Sequence, residues 1–361
     1  MQFQIFIGMI FVVILLIYQT KTVPWFIKII WAYFALFALY TSYYPLFAAS
    51  FKPDMHNLLC WNAARNLLQL LILPIAVFNL TGRQVKTFIL FCWGFVIADS
   101  IYLMTDPVLG LLEAKTLDAC VFAALLPMWF CRKKLWFKLP PIILSLTAIV
   151  MLQARTAALM VLVIALVYLN SYLKKRLSRT LHLSIIAGGL TLIWLTMLAC
   201  FNSLVTLMSK IIADPRFEMW TEFINWWKNN ANFYFGTSLG SFEWIGLTLY
   251  PGEKMHIFRF YLMHNDWLQI LFESGIIGLT LSIIFYCYIT FKIRKLEHVL
   301  AMWLSLGAMM FLYYPMHVFI LQVVGLIILD ITWRVDGPCA WKFQMPRVLE
   351  KLFSRTFSYL E

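Results

Sequence analysis

The sequence predicts an all-α, multi-pass helical membrane protein. It reads as a single transmembrane domain over 1–361, with about eleven crossings and one large periplasmic loop over 207–263. Three observations carry this. Hydrophobic residues make up 62% of the chain and charged residues only 13%, against about 45–50% and about 25% in soluble domains. The apolar residues come in runs of roughly 17–25, the length needed to cross about 30 Å of hydrocarbon. The basic residues are distributed unevenly between the loops, which sets an orientation. Together these exclude a soluble enzyme. The net charge of +12 is then spent at helix ends rather than on nucleic acid, which is not an expected partner.

In order, the crossings are expected near 2–19, 24–50, 57–80, 87–103, 118–131, 139–153, 156–173, 182–206, 266–291, 296–313 and 316–333. With the carboxyl terminus inside, 20 of the 29 basic residues fall on the cytoplasmic side. They lie at Lys21 and Lys28, Arg83 and Lys86, Arg132 to Lys138, Lys174 to Arg179, Lys292 to Lys295, and Arg334 onward. The short outer loops hold Lys52, Lys115 and Arg155, together with the acids Asp54, Asp106, Glu113 and Asp118. The first run lacks a small-residue cleavage site and reads as an anchor rather than a signal peptide.

One junction follows from parity. Residues 139–173 are almost continuously apolar, interrupted by Gln153 and Arg155. A single helix of that length would extend about 52 Å, too long for one bilayer. Both flanks are basic and belong on the same side, so two crossings are required. The turn falls at Gln153-Ala154-Arg155-Thr156 and puts Arg155 at the outer face.

The seven cysteines show no C-x-x-C pairing, so neither a disulfide framework nor a metal cluster is expected. No internal repeat stands out, which weighs against a transporter built from inverted halves.

The outer loop carries five basic and five acidic residues and too many aromatics for a disordered linker. Asp214-Pro215 reads as a helix start. In the helix that follows, Phe217, Trp220, Phe223, Ile224 and Trp227 share about one third of the wheel at 100° per residue. Such a Trp-rich face is expected to lie on the outer leaflet, in contact with membrane lipids. Gly236 and Gly240 then permit a tight irregular turn.

Four residues are candidates for chemistry, each with a plainer alternative. Arg155 is either a snorkelling arginine or a bidentate phosphate contact that stays charged. Arg65, inside the third apolar run, either makes a structural pair or faces a substrate cavity. Arg216 is an interfacial anchor or a ligand. His264, where the loop enters the ninth crossing, is a polar helix cap or a proton acceptor. Beyond it, Asp266, Gln269 and Glu273 share one helix face, and carboxylates in an apolar run must face the protein interior. Gly275 and Gly278 have the spacing of a helix-packing pair.

The run Met263-His264-Asn265-Asp266-Trp267-Leu268-Gln269-Ile270-Leu271-Phe272-Glu273-Ser274-Gly275-Ile276-Ile277-Gly278-Leu279 resembles the H-N-x-x-L-x-x-x-x-E-x-G-x-x-G-L signature of the bacterial O-antigen ligase and polymerase superfamily. Gln153-Ala154-Arg155-Thr156 is similar to that family's arginine-threonine turn, and Pro215 to Trp220 with its glycine-rich sequel to its R-x-x-x-W segment. The resemblance covers roughly residues 140–290.

It implies a metal-independent glycosyltransferase of the membrane-embedded C type, with no cofactor, in the bacterial inner membrane and with its active site facing the periplasm. The implied donor is a glycan on undecaprenyl diphosphate. The acceptor is lipid A–core for a ligase, or a second lipid-linked glycan for a polymerase. By the match, Arg155 and Arg216 become diphosphate contacts and His264 the base or orienting group. Asn265, Glu273 and Arg65 are assigned to substrate binding or its support. A ligase is the preferred reading, with a repeat-unit polymerase or a protein oligosaccharyltransferase as relatives. A lipid-linked glycan flippase is the alternative from another class. It is disfavoured because the basic candidates other than Arg65 cluster at one face, whereas a transporter places ionisable residues near the midplane.

Overall fold

The computed structural model describes residues 80–105, 115–132, 134–178, 215–237, 265–312 and 319–336, with parts of 180–191. The expected crossings at 2–19 and 24–50, almost all of 57–80, and most of 182–206 lie outside these residues, as do Arg65 and His264. Eight helices are present among the described residues, with no named strand: α1 (Gly82–Thr105), α2 (Lys115–Phe130), α3 (Leu135–Leu152), α4 (Arg155–Arg176), α5 (Pro215–Asn230), α6 (Asp266–Ile293), α7 (Glu297–Leu312) and α8 (Phe319–Asp336). Seven of them coincide with expected crossings, and α5 with the expected amphipathic helix. Four are long and apolar enough to cross a membrane, namely Gly82–Met104, Leu135–Leu152, Arg155–Arg176 and Asp266–Ile293.

The bundle is organised around α2. Its sequence, rich in Ala, Leu and aromatic residues, is apolar on every side, and a helix of that kind must be buried on every side. Ala119 to Trp129 is accordingly enclosed apart from the helix ends, and α2 packs against α3, α4, α7 and α8. Asp118, assigned by sequence to an outer loop, lies in the first turn of α2 and is fully buried. There a carboxylate meets the positive end of the helix dipole. By contrast Phe91, Met104 and Val150 are 70%, 72% and 74% exposed. Large apolar side chains turned outward on α1 and α3 are what a hydrocarbon solvent permits.

The hairpin predicted from charge parity is present. α3 ends at Leu152 and α4 begins at Arg155. Gln153 makes the reversal in the left-handed conformation, with φ 51° and ψ 33°, and its N–H reaches the Val150 carbonyl. The two helices share little contact, because α3 packs mainly on α2 while α4 packs mainly on α7 and then on α2.

Contacts between distant segments fix which helix ends lie together. Lys175 at the end of α4 pairs with Glu297 at the start of α7 at 2.8 Å. Tyr168 Oη lies 2.7 Å from His298 Nδ1. Asp336, closing α8, accepts the His298 backbone N–H. Arg334 pairs with Asp330 at 2.8 Å and donates to the Leu80 carbonyl, just before α1, at 2.9 Å. Among the described residues, the basic helix ends at Lys175 and Arg334, which the sequence places on one side of a membrane, therefore lie at one end of the bundle.

Candidate functional site

Of the candidate residues, Arg155 and Asn265 belong to the opposite end. Arg155 heads α4, and α7 runs antiparallel to α4, so the far end of α7 lies at the end where Arg155 stands. That end of α7 also meets the start of α6: Trp267 Nε1 donates to the Gly307 carbonyl at 3.4 Å, and the Trp267 and Phe311 rings lie 5.9 Å apart. The topology thus brings Arg155 and Asn265 to one end of the bundle. Arg155 is exposed there, as a residue meeting a ligand from outside must be.

α6 begins with a built cap. Asn265 is extended, and its side-chain oxygen accepts the Leu268 N–H at 3.0 Å. That satisfies one of the orphaned N–H groups of the first turn. Asn265 therefore has a local structural task that the motif alone did not indicate. His264 directly precedes this cap. Asp266, Gln269 and Glu273 are 1%, 3% and 3% exposed, so the polar face turns inward as the sequence predicts. Gln269 Nε2 donates to Glu273 Oε1 at 3.0 Å, an i to i+4 bond along that face. These side chains, with Asn265, form a buried polar stripe leading away from His264.

The helix then breaks. Gly275 has φ 67° and ψ −170°, a combination essentially reserved for glycine. The break lies roughly 14 Å along α6 at 1.5 Å per residue, at a buried position where an unpaired backbone group costs about as much as a lost hydrogen bond. The turn after α5 closes it. Ile276 and Ile277 would bond the Phe272 and Glu273 carbonyls in an unbroken helix. Their N–H groups reach instead the carbonyls of Phe233 and Tyr234, at 3.1 and 3.3 Å. The Phe272 carbonyl accepts both the N–H and the hydroxyl of Thr237, each at 3.0 Å. Irregular backbone is tolerated here because protein covers it and pairs it. Gly275 thus permits close approach, as expected of it, but to the turn that follows α5.

The turn has its own support. The Asn232 side-chain oxygen accepts the Tyr234 and Phe235 N–H groups at 2.9 and 3.1 Å. Gly236, at φ 74°, returns its N–H to the Asn232 carbonyl at 2.7 Å. α5 is anchored beside it. Phe223 packs edge-on to Phe272 at 5.5 Å, and Trp226 stacks on the same ring at 5.8 Å. Phe223 and Trp227 are buried, so part of the aromatic face expected to meet lipid is covered by protein. Arg216 lies in the first turn of α5, and its side chain is outside the described residues. Thr237 and Asn232 were not singled out from sequence; the nearest signal was their proximity to Gly236. Asp99, fully buried in α1, and Asp330 in α8 are further intramembrane acids that the sequence reading passed over.

The turn bearing Arg155, the whole of α5 and its sequel, and α6 through its break all fall within residues 140–283, which match the family model described as O-antigen ligase. That segment, less than half of the chain, is similar to the O-antigen ligase and polymerase superfamily. The family so described implies glycosyltransferase-type activity in general, with lipid-linked glycans as substrates. No curated protein matches the chain. The arrangement at this end provides an exposed arginine, a capped helix start and a buried polar stripe. Among the described residues no group of three or more His, Cys, Asp or Glu side chains is placed to hold a metal ion.

Proposed function

We propose that the protein is an inner-membrane O-antigen ligase that moves a glycan from undecaprenyl diphosphate to lipid A–core on the periplasmic face, without a metal. The observation that carries this reading is the match over residues 140–283, because it takes in the arginine turn, α5 and the motif that begins α6 as one unit. In the proposed reaction a hydroxyl of the acceptor attacks the anomeric carbon of the donor sugar. The new C–O bond forms as the bond to the diphosphate breaks. Negative charge builds on the departing diphosphate, and Arg155 and Arg216, as guanidiniums at the membrane surface, stabilise it. The hydroxyl proton passes to His264 acting as general base. Asn265 and Glu273 support that end of α6, and Arg65 contributes from the third apolar run to substrate binding.

The orientation follows from the positive-inside rule and from the basic helix ends at Lys175 and Arg334, which lie at the end opposite Arg155. The deciding experiment is deletion of the gene, followed by gel analysis of the surface glycan. A ligase predicts complete loss of capped core. Core carrying a single repeat unit identifies a polymerase of the same superfamily, and an unchanged glycan pattern overturns both.

A further inference from the structure

We infer that Thr237 is a positioning residue for the proposed transfer: through its hydroxyl bond to the Phe272 carbonyl, it helps to fix the angle of the outer half of α6, whose capped start at Asn265 follows His264 in the sequence. This rests on the reading of His264 as the general base. The break at Gly275 divides α6 into an outer segment, Asp266–Ser274, and an inner one, Ile276–Ile293. Across it the helix no longer orients itself by its own hydrogen-bond ladder. The outer segment is held near its start by Trp267, which bonds the Gly307 carbonyl and packs on Phe311 of α7. At its end it is held by what meets Phe272: the Phe223 and Trp226 rings, and Thr237, which bonds the carbonyl once by N–H and once by hydroxyl, both at 3.0 Å. Thr237 is 5% exposed, so water competes little for this bond. At the other end of the same segment stands the Asn265 cap, and His264 is the next residue. A tilt of about 5° at the break moves that end, roughly 14 Å away at 1.5 Å per residue, by about 1 Å. A misplacement of that size costs on the order of 10²-fold in rate. Side-chain substitution removes only the hydroxyl bond and leaves the N–H bond in place.

The test compares full-length parent, Thr237→Val, Thr237→Ser and His264→Ala proteins in lipid nanodiscs, using undecaprenyl-diphosphate-linked glycan as donor and lipid A–core as acceptor. Valine keeps the shape of threonine without the hydroxyl; serine keeps the hydroxyl. The expected result is that Thr237→Val lowers the maximal rate per folded molecule about tenfold or more, with donor KM within about twofold and Tm within a few degrees, since misplaced catalytic geometry acts on the chemical step. Thr237→Ser should recover most of that rate. In addition, amide hydrogen exchange at Asn265 to Leu268 should accelerate in the valine variant and stay at the parent rate in the serine variant. Parent-like transfer by Thr237→Val overturns the inference while leaving the ligase reading intact. So does failure of serine to restore the rate, and so does a rate loss matched by a large fall in Tm, which would make the role purely one of folding. Absence of transfer by the parent protein, or parent-rate transfer by His264→Ala, overturns the functional reading itself.

Discussion

Gly236 in the turn after α5 and Gly275 in α6 meet backbone to backbone. A Cβ placed on Gly236 would stand 2.5 Å from the Gly275 nitrogen, and one on Gly275 would collide with the Tyr234 carbonyl. Both glycines have positive φ, so conformation and space each forbid a side chain. The contact joins the loop to the broken helix without any side chain between them.

This junction makes a stability prediction. Gly275→Ala combines about 1–3 kcal/mol of backbone strain with a collision against main chain that cannot swing away. The expected outcome is a sharp drop in the monodisperse folded fraction in detergent. Gly94→Ala, where nothing lies within 4 Å of the added Cβ, is the control and should leave the yield unchanged or slightly raised, since alanine favours helix. Equal behaviour of the two variants would contradict the break at Gly275.

The hairpin makes another. Gln153 holds a left-handed conformation at φ 51°, which costs a non-glycine residue roughly 1–2 kcal/mol. Gln153→Gly should therefore match or exceed the parent in thermal stability, and Gln153→Val should fall below it, because a β-branched residue is least tolerant of positive φ. The reverse order in a melting series would rule out this turn conformation.

Orientation is checked by reporter fusions. A fusion after Thr237 should report a periplasmic location, and fusions after Arg294 or at Glu361 a cytoplasmic one, since 20 of the 29 basic residues partition to that side. A cytoplasmic signal at Thr237 would invert the protein and move the proposed site to the wrong face.

Arg155 and His264 should fail in different ways. Arg155→Lys keeps the charge but loses the planar fork, so a bidentate phosphate contact predicts a large loss of transfer even for this change. An interfacial anchor predicts near-normal activity, because lysine also snorkels. His264→Ala should leave donor-lipid binding almost unchanged and slow transfer by about 10²–10⁴, the usual worth of a general base. Loss of donor binding in that variant, with the fold intact, would make His264 a donor ligand and require another base.

Metal dependence is decided by chelation. With arginines supplying the countercharge, EDTA should leave transfer by the purified protein intact. Activity abolished by EDTA and restored by Mg²⁺ or Mn²⁺ would assign the acids to a metal and replace the proposed mechanism.

Much of the architecture was legible because hydropathy, period and charge are local properties of a chain. The break between α3 and α4 followed from the length of an apolar run and the sign of its flanks. α5 followed from aromatic residues recurring at helical spacing after Asp214-Pro215, and the inward face of Asp266, Gln269 and Glu273 from their spacing in an apolar run. The motif from His264 to Leu279 was enough to indicate the superfamily.

What stayed hidden depends on partners far apart in sequence. An all-round apolar α2 announces burial but not that α3, α4, α7 and α8 surround it, nor that Asp118 goes in with it. The Gly275-x-x-Gly278 spacing suggested helix packing, because spacing records that room is needed and not what fills it. The Phe272 carbonyl takes its bonds from Thr237, 35 residues earlier, and no local pattern encodes that pairing. Sequence alone determined where the described helices run and which face of α6 is polar, since burial in hydrocarbon acts on each residue through its own polarity. Only the tertiary structure decided how the broken helix α6 is held together, because an unpaired backbone group must find a partner in space, and the path of the chain sets which one it finds.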